Sequence, residues 1–360
     1  MRASEALTLG MKLLDSGLRT STVDFPREVS PMIEQLLRSA YLEALKLWPA
    51  AYGRLYRASG SGYAPRYKRY VERSGVRALE RLVGSSGARA LVATHFYGAG
   101  VLGRYKELNP EAFAAVVLTD YVPHPIGIPP NLDVYIVADE AAANLVADFG
   151  VPENLIHPTG IPIEPAFEEP ADVRGARAEI LGLRLDDVED DLPVVLVMGG
   201  GLGSGMLERT VQKLLGVSTA MHLAVLCGSN ELVRSRLQRL AGRHDHKATI
   251  LSFTDRVRDL MAAATVLVTK PGGMTCTEAL ARGLPQVLYH PIPGNEEDNA
   301  AAIVRYNAGV MVTSTRQVLG ETLKILTSQR HRQRLGDAAC AAHRPHSARS
   351  AARLVLDGLA

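Results

Sequence analysis

The stretch "KPGGMTCTEALARGLP", residues 270–285, sets two adjacent glycines before a helical pattern and a glutamate five residues past the second. Without side chains at Gly272 and Gly273 another group can come close to the backbone. The unpaired N–H groups of Gly273, Met274 and Thr275 at the helix start can then cradle a diphosphate. Glu278 lies about one turn further in, where a carboxylate can accept both hydrogen bonds of a ribose diol. A plainer arrangement uses the same residues: Thr275 or Thr277 caps the helix and Glu278 completes the cap. Two neighbouring runs bear on the choice. "GGGLGSG", 199–205, is a second phosphate-type loop. It lacks the G-x-G-x-x-G dinucleotide spacing, because the third glycine position falls on Ser204 in one frame and on Met206 in the other. "HPIPGNEEDNAAAI", 290–303, opens another helix with Glu296, Glu297 and Asp298 flanked by Asn295 and Asn299. Such carboxylates are ordinary partners for a helix dipole. One βα unit after a phosphate loop, they also match the acceptors that sugar hydroxyls require, and a sugar on a nucleoside diphosphate suits all three runs.

Strands and helices must bring these runs to one edge. Short apolar, β-branched segments alternate with helical patterns along most of the chain, which predicts parallel sheets covered on both faces. Expected strands are 90–94, 114–119, 134–138 and 154–159 in the first half, and 193–198, 222–228, 248–253, 265–270 and 285–290 in the second. Glycine- or proline-rich turns follow them at the carboxyl ends, where open α/β sheets bind ligands. "GIPIEPAFEEP", 160–170, breaks the alternation with three prolines and marks a domain boundary. The expected division is 1–168, 169–345 and a last amphipathic helix, 346–360, packing back across the boundary. "LRLDDVEDDLP", 183–193, reads as a solvated acidic loop.

A length of 360 residues suits two domains with separate cores. A formal net charge of +2 leaves no global basic field for nucleic acid. The three cysteines, Cys227, Cys276 and Cys340, are too far apart for a zinc site and read as reduced cytosolic thiols. No apolar run approaches the roughly 18 to 20 residues that span a bilayer, so any membrane contact is peripheral. Between 52 and 82, however, eight Arg or Lys face two Glu, with five interleaved tyrosines. Arg54, Arg57, Tyr63, Arg66, Lys68 and Arg69 from that stretch suit an anionic membrane surface; a solvated helical hairpin has the same composition.

The run "VLVTKPGGMTCTEALARGLPQVLYHPIPGNEEDNA", with "VLVMGGGLGSG" and "VLCGSNELV", resembles the nucleotide-sugar half of glycosyltransferase family 28. The branch is that of monogalactosyldiacylglycerol synthase and the diacylglycerol glucosyltransferases. "THFYGAG", "TDYVPHP", "DVYIVADE" and "GVPENLIHPTGIPIEPAF" resemble consecutive blocks of its first half. The resemblance implies an α/β fold of two Rossmann-like domains facing a cleft, the glycosyltransferase B architecture. It implies that Gly272, Gly273, Met274 and Thr275 hold the donor diphosphate, that Glu278 holds ribose, and that Asn295, Glu296, Glu297 and Asn299 meet the donor sugar. Gly201, Gly203 and Ser204 line the cleft beside the diphosphate, and Phe253 matches the block that frames uracil.

In that family the first domain opens with a strand and a glycine-rich loop ending in histidine, just before a helix resembling "RASEAL". Here the helix begins at Arg2, so Met1 is expected to be a misassigned start or a truncation, with an apolar gap left between strands. His95, Asp120 and His124, at strand ends of the first domain, are the candidates for a base; each could equally be a packing residue. The implied activity is inverting transfer of a hexose from a UDP-sugar to a lipid hydroxyl such as that of diacylglycerol. It would take place at the inner face of the cytoplasmic membrane, with no cofactor and no metal. Alternatives on the same fold are a peptidoglycan-type N-acetylglucosaminyltransferase, a nucleotide-sugar epimerase, or a non-catalytic UDP-sugar-binding relic.

Overall fold

The computed structural model describes residues 2–30, 48, 53–54, 56, 65–182, 192–199, 204–244 and 247–359, with backbone alone for 65–74, 204–206 and 247. The chain divides into two compact units. The first holds Met1–Pro165, Ile292–Asn299 and Arg344–Ala360; the second holds Ala166–Pro291 and Ala300–His343.

In the first unit, helices α1 (Arg2–Leu14), α2 (Phe25–Val29) and α3 (Pro65–Ser86) precede strand β1 (Ala90–Ala93), α4 (Phe96–Leu108), β2 (Phe113–Val117), β3 (Val134–Ile136), α5 (Glu140–Asp148) and β4 (Ile156–His157). The strands form one parallel sheet in the order β1-β2-β3-β4, with Ala115 opposite Val134 and Val117 opposite Ile136. No apolar gap separates these four strands, contrary to expectation, because consecutive strands pair directly. The strands are shorter than their apolar runs: the carboxyl-terminal residues of those runs turn out of the ladder into the loops that carry polar side chains.

The second unit contains α6 (Val173–Glu179), β5 (Val194–Met198), α7 (Ser204–Leu215), β6 (His222–Leu226), α8 (Glu231–Ala241), β7 (Lys247–Leu251), α9 (Val257–Ala263), β8 (Val266–Thr269), α10 (Gly273–Ala281) and β9 (Gln286–Tyr289). It continues through α11 (Asn295–Arg305), whose first residues group with the first unit, to β10 (Gly309–Val312), α12 (Thr315–Thr327) and α13 (Gln329–Ala342). Its parallel sheet runs β10-β9-β8-β5-β6-β7, the doubly wound order in which direction reverses beside the first strand. β5 is buried at Val194, Val195, Leu196 and Val197, as a central strand covered on both faces must be. Strand β10, only four residues long, was not among the expected strands.

The boundary segment is fastened to the second unit. Arg282, at the end of α10, donates to the carbonyls of Glu169 (2.7 Å) and Ala166 (2.9 Å), with its guanidinium 5.9 Å from the Phe167 ring centroid. The last helix, α14 (Ser347–Asp357), returns to the first unit. There Ala351, Ala352 and Val355 pack with Leu7 of α1 on Ala115, Val117, Val134 and Ile136. Gly10 permits the approach, since a Cβ on it would lie 2.3 Å from the Ala348 carbonyl oxygen. No helix among the described residues is long and apolar enough to cross a membrane. Most of the acidic loop, 183–191, lies outside the described residues.

Candidate active site

The reversal of strand order lies between β5 and β8, and open α/β sheets leave a ligand crevice at that point, outside the carboxyl ends. Thr269 ties the two strand ends together, its hydroxyl donating to the Met198 carbonyl at 3.2 Å. Gly199 follows β5. Gly201 and Gly203 lie outside the described residues, and Ser204 is described only as the first backbone position of α7. After β8 the chain reaches Gly272, the N-cap of α10, with φ −71° and ψ 135° and no side-chain cap. A Cβ added to Gly272 would meet nothing within 4 Å. The threonine cap is therefore not the arrangement formed. Thr277 instead donates back to the Gly273 carbonyl at 2.9 Å, and among the described residues no side chain caps the helix start. Glu278 is 2% exposed on the same helix. Phe253, just past β7, is 78% exposed, an open aromatic face at the carboxyl edge of the same sheet.

The segment 292–299 groups with the first unit. Its turn is held from within: Glu296 accepts from the Ile292 N–H at 2.6 Å, and Glu297 from the Gly294 N–H at 3.1 Å. Gly294 has φ +105°, and a Cβ there would stand 2.5 Å from the Tyr56 ring. Asn299 is fully buried, with Nδ2 donating to Asp120 Oδ1 at 2.9 Å and Oδ1 accepting from the Tyr121 N–H at 2.8 Å. Asn295 Nδ2 also reaches Asp120 Oδ1, at 3.4 Å. Neither Tyr56 nor Tyr121 stood out individually in the sequence; the P-x-P-G turn before Asn295 was the available signal that a ring or ligand packs there.

The three candidate bases differ in what they hold. His124 accepts from the Ile126 N–H at Nδ1 (3.3 Å) and stands 3.0 Å from the Tyr56 carbonyl at Nε2, so the neutral ring carries its proton on Nε2. The Tyr56 ring lies against it, centroids 4.4 Å apart. His95 caps α4, accepting from the Tyr97 N–H at 3.4 Å. Its ring keeps an edge in solvent, while the protein packed around it holds the imidazole below its ordinary value; Asp120 and Asp24 pull the other way. Asp120 is half-buried and accepts both asparagine amides on one oxygen. Of the basic stretch, Arg54 is exposed; Arg57 and Tyr63 lie outside the described residues, and Arg66, Lys68 and Arg69 are described only as backbone of α3. Among the described residues no three His, Cys, Asp or Glu side chains gather as metal ligands.

Residues 1–163 match the family model for monogalactosyldiacylglycerol synthase, and residues 194–353 match the glycosyltransferase family 28 C-terminal domain. The processive diacylglycerol beta-glucosyltransferase of Bacillus subtilis (strain 168) is 25% identical over 326 residues, which are 90% of this chain and 83% of that one. That of Bacillus cereus (strain AH187) is 25% identical over 344 residues, 95% of this chain and 87% of that one. Among solved structures, Acinetobacter baumannii MurG superposes with a TM-score of 0.59 at 15% identity, covering 80% of each chain. The UDP-GlcNAc 2-epimerase of Neisseria meningitidis, solved with UDP-GlcNAc bound, gives 0.58 at 11% identity, covering 82% of this chain and 83% of that one. These likenesses place the fold among the glycosyltransferase B enzymes. With the two family models spanning both halves in order, the chain belongs to glycosyltransferase family 28, in the branch of monogalactosyldiacylglycerol synthase and the diacylglycerol glucosyltransferases.

Proposed function

We propose that the chain transfers a hexose from a UDP-sugar to the hydroxyl of a membrane lipid such as diacylglycerol, with inversion at the anomeric carbon. One observation carries the donor assignment: Gly272, with an ordinary φ and no described atom within 4 Å of where a Cβ would sit, heads a helix that no side chain among the described residues caps. That geometry leaves room for a diphosphate, and the helix dipole would stabilise the charge that develops on the departing UDP. Gly273, Met274 and Thr275 supply the N–H groups, Glu278 takes the ribose, Phe253 borders the base, and Asn295, Glu296 and Glu297 face the sugar. Gly201, Gly203 and Ser204 complete the phosphate side. The relatives named diacylglycerol beta-glucosyltransferases support diacylglycerol as acceptor and glucose as the first sugar to try. Arg54, Arg57, Tyr63, Arg66, Lys68 and Arg69 are proposed to meet an anionic leaflet at the inner face of the cytoplasmic membrane.

The test presents UDP-glucose, UDP-galactose and UDP-GlcNAc to the protein with diacylglycerol in anionic and in neutral vesicles, with and without EDTA. Glycolipid formation that is insensitive to EDTA and faster on anionic vesicles is expected. A free epimerised nucleotide sugar in place of glycolipid would establish the epimerase alternative. UDP binding without turnover would establish the relic.

A further inference from the structure

The buried amide of Asn299 is bonded at both ends: Nδ2 donates to Asp120 Oδ1, and Oδ1 accepts from the Tyr121 N–H. An amide buried to 0% exposure and bonded at both ends fixes the two residues it holds. Asp120 receives a second amide from Asn295 on the same oxygen, Oδ1. Its carboxylate is thereby pinned in rotation, and Oδ2 is the oxygen not engaged by either asparagine. The neighbouring imidazoles are committed differently. His124 directs Nδ1 to one backbone group and Nε2 to another, and His95 directs Nδ1 to the Tyr97 N–H.

We propose that Asn299 is a positioning residue that acts through Asp120, and that Asp120 takes the acceptor's proton. The step balances. As the acceptor oxygen bonds to the anomeric carbon, its proton passes to Asp120 Oδ2, and the C–O bond to UDP breaks with its electron pair going to the diphosphate. The acceptor hydroxyl acidifies as that bond forms, so the Asp120 carboxylate can receive the proton as the new bond develops. Asn295 serves both functions, since it is one of the proposed sugar contacts and its Nδ2 lies 3.4 Å from Asp120 Oδ1. This inference rests on the proposed transferase function and replaces the expectation that Asn299 meets the donor sugar.

A double-mutant cycle separates the two roles. Asp120→Ala is expected to lower kcat at least ~100-fold, the low end for loss of a general base. Asn299→Ala should lower kcat about tenfold or more, with donor KM and UDP affinity held within about twofold, and the double variant should be no slower than Asp120→Ala alone. Asn299→Asp keeps an acceptor for the Tyr121 N–H, faces Asp120 with a like charge and preserves size, so it carries the test should Asn299→Ala fail to fold. It is expected to lose kcat at least as severely with UDP affinity intact. A rise in donor KM with kcat retained returns Asn299 to the sugar and overturns the inference, as do additive losses in the double variant. A wild-type chain that transfers no sugar to any lipid overturns the transferase reading instead.

Discussion

Among the described residues nothing requires glycine at 272. Its φ of −71° suits any residue, and a Cβ there would meet none of their atoms within 4 Å. Alanine there should therefore leave folding intact, and by restricting the unfolded chain should stabilise it by about 0.4–1 kcal/mol. If a diphosphate takes that space, the same methyl group should weaken UDP binding at least tenfold. Glu278 makes the complementary case: a charge-assisted hydrogen bond contributes about 1.5–3 kcal/mol, so Glu278→Ala should also lower UDP affinity tenfold or more. Calorimetric titration with UDP and thermal melting of both variants check this; wild-type UDP affinity in the pair removes the donor site from α10. Local spacing is what singles out both residues in the sequence. It could not show that Asn299 bonds Asp120 and Tyr121, which lie 179 and 178 residues away with no local pattern to pair them.

The turn at 292–294 shows how an element prepares residues that its own sequence only hints at. Glu296 and Glu297 each turn one carboxylate oxygen back onto the N–H groups ahead of α11, as partners of a helix start do. Gly294 sets the turn, with φ +105° and the Tyr56 ring where a Cβ would go. Gly294→Ala should cost about 1–3 kcal/mol for the strained backbone alone, lowering the melting temperature by several degrees, and should reduce transfer more than UDP binding. Unchanged melting and transfer would falsify the view that this turn is held in one conformation. At this scale the central strands were readable from their continuous apolar runs, whereas their ends were not. A hydrophobic residue just past the last ladder bond looks the same in sequence whether it continues the strand or turns into a loop. Short β10 has only Gly309 and Val312 buried, so it lacks the fully apolar run that betrays a central strand.

Across the molecule, the order of its βα units and the return of α14 to α1 follow from where apolar surface must be covered, and the same packing makes stability depend on pH. His331 lies in the first turn of α13, where a positive charge opposes the helix dipole. Its imidazole lies below the ordinary value through burial first, then through Lys324 and Arg334, with Glu321 opposing. Arg334 donates to its Nδ1 at 3.3 Å, which requires the neutral ring. Burial likewise lowers His157, at the end of β4 in the other unit. A histidine whose folded value lies below its unfolded one binds fewer protons in the native state. Stability is then complete above the unfolded value near 6.5 and declines as pH falls through it toward the depressed folded value. Melting followed from pH 8 to pH 5 should show a temperature that is flat at first and falls below about pH 6.5. His331→Gln should lessen the fall in the transition that includes the second unit and leave the contribution of His157 in place. A melting temperature that holds steady or rises on acidification, or an equally steep fall in His331→Gln, would mean that these imidazoles titrate as they do in the unfolded chain.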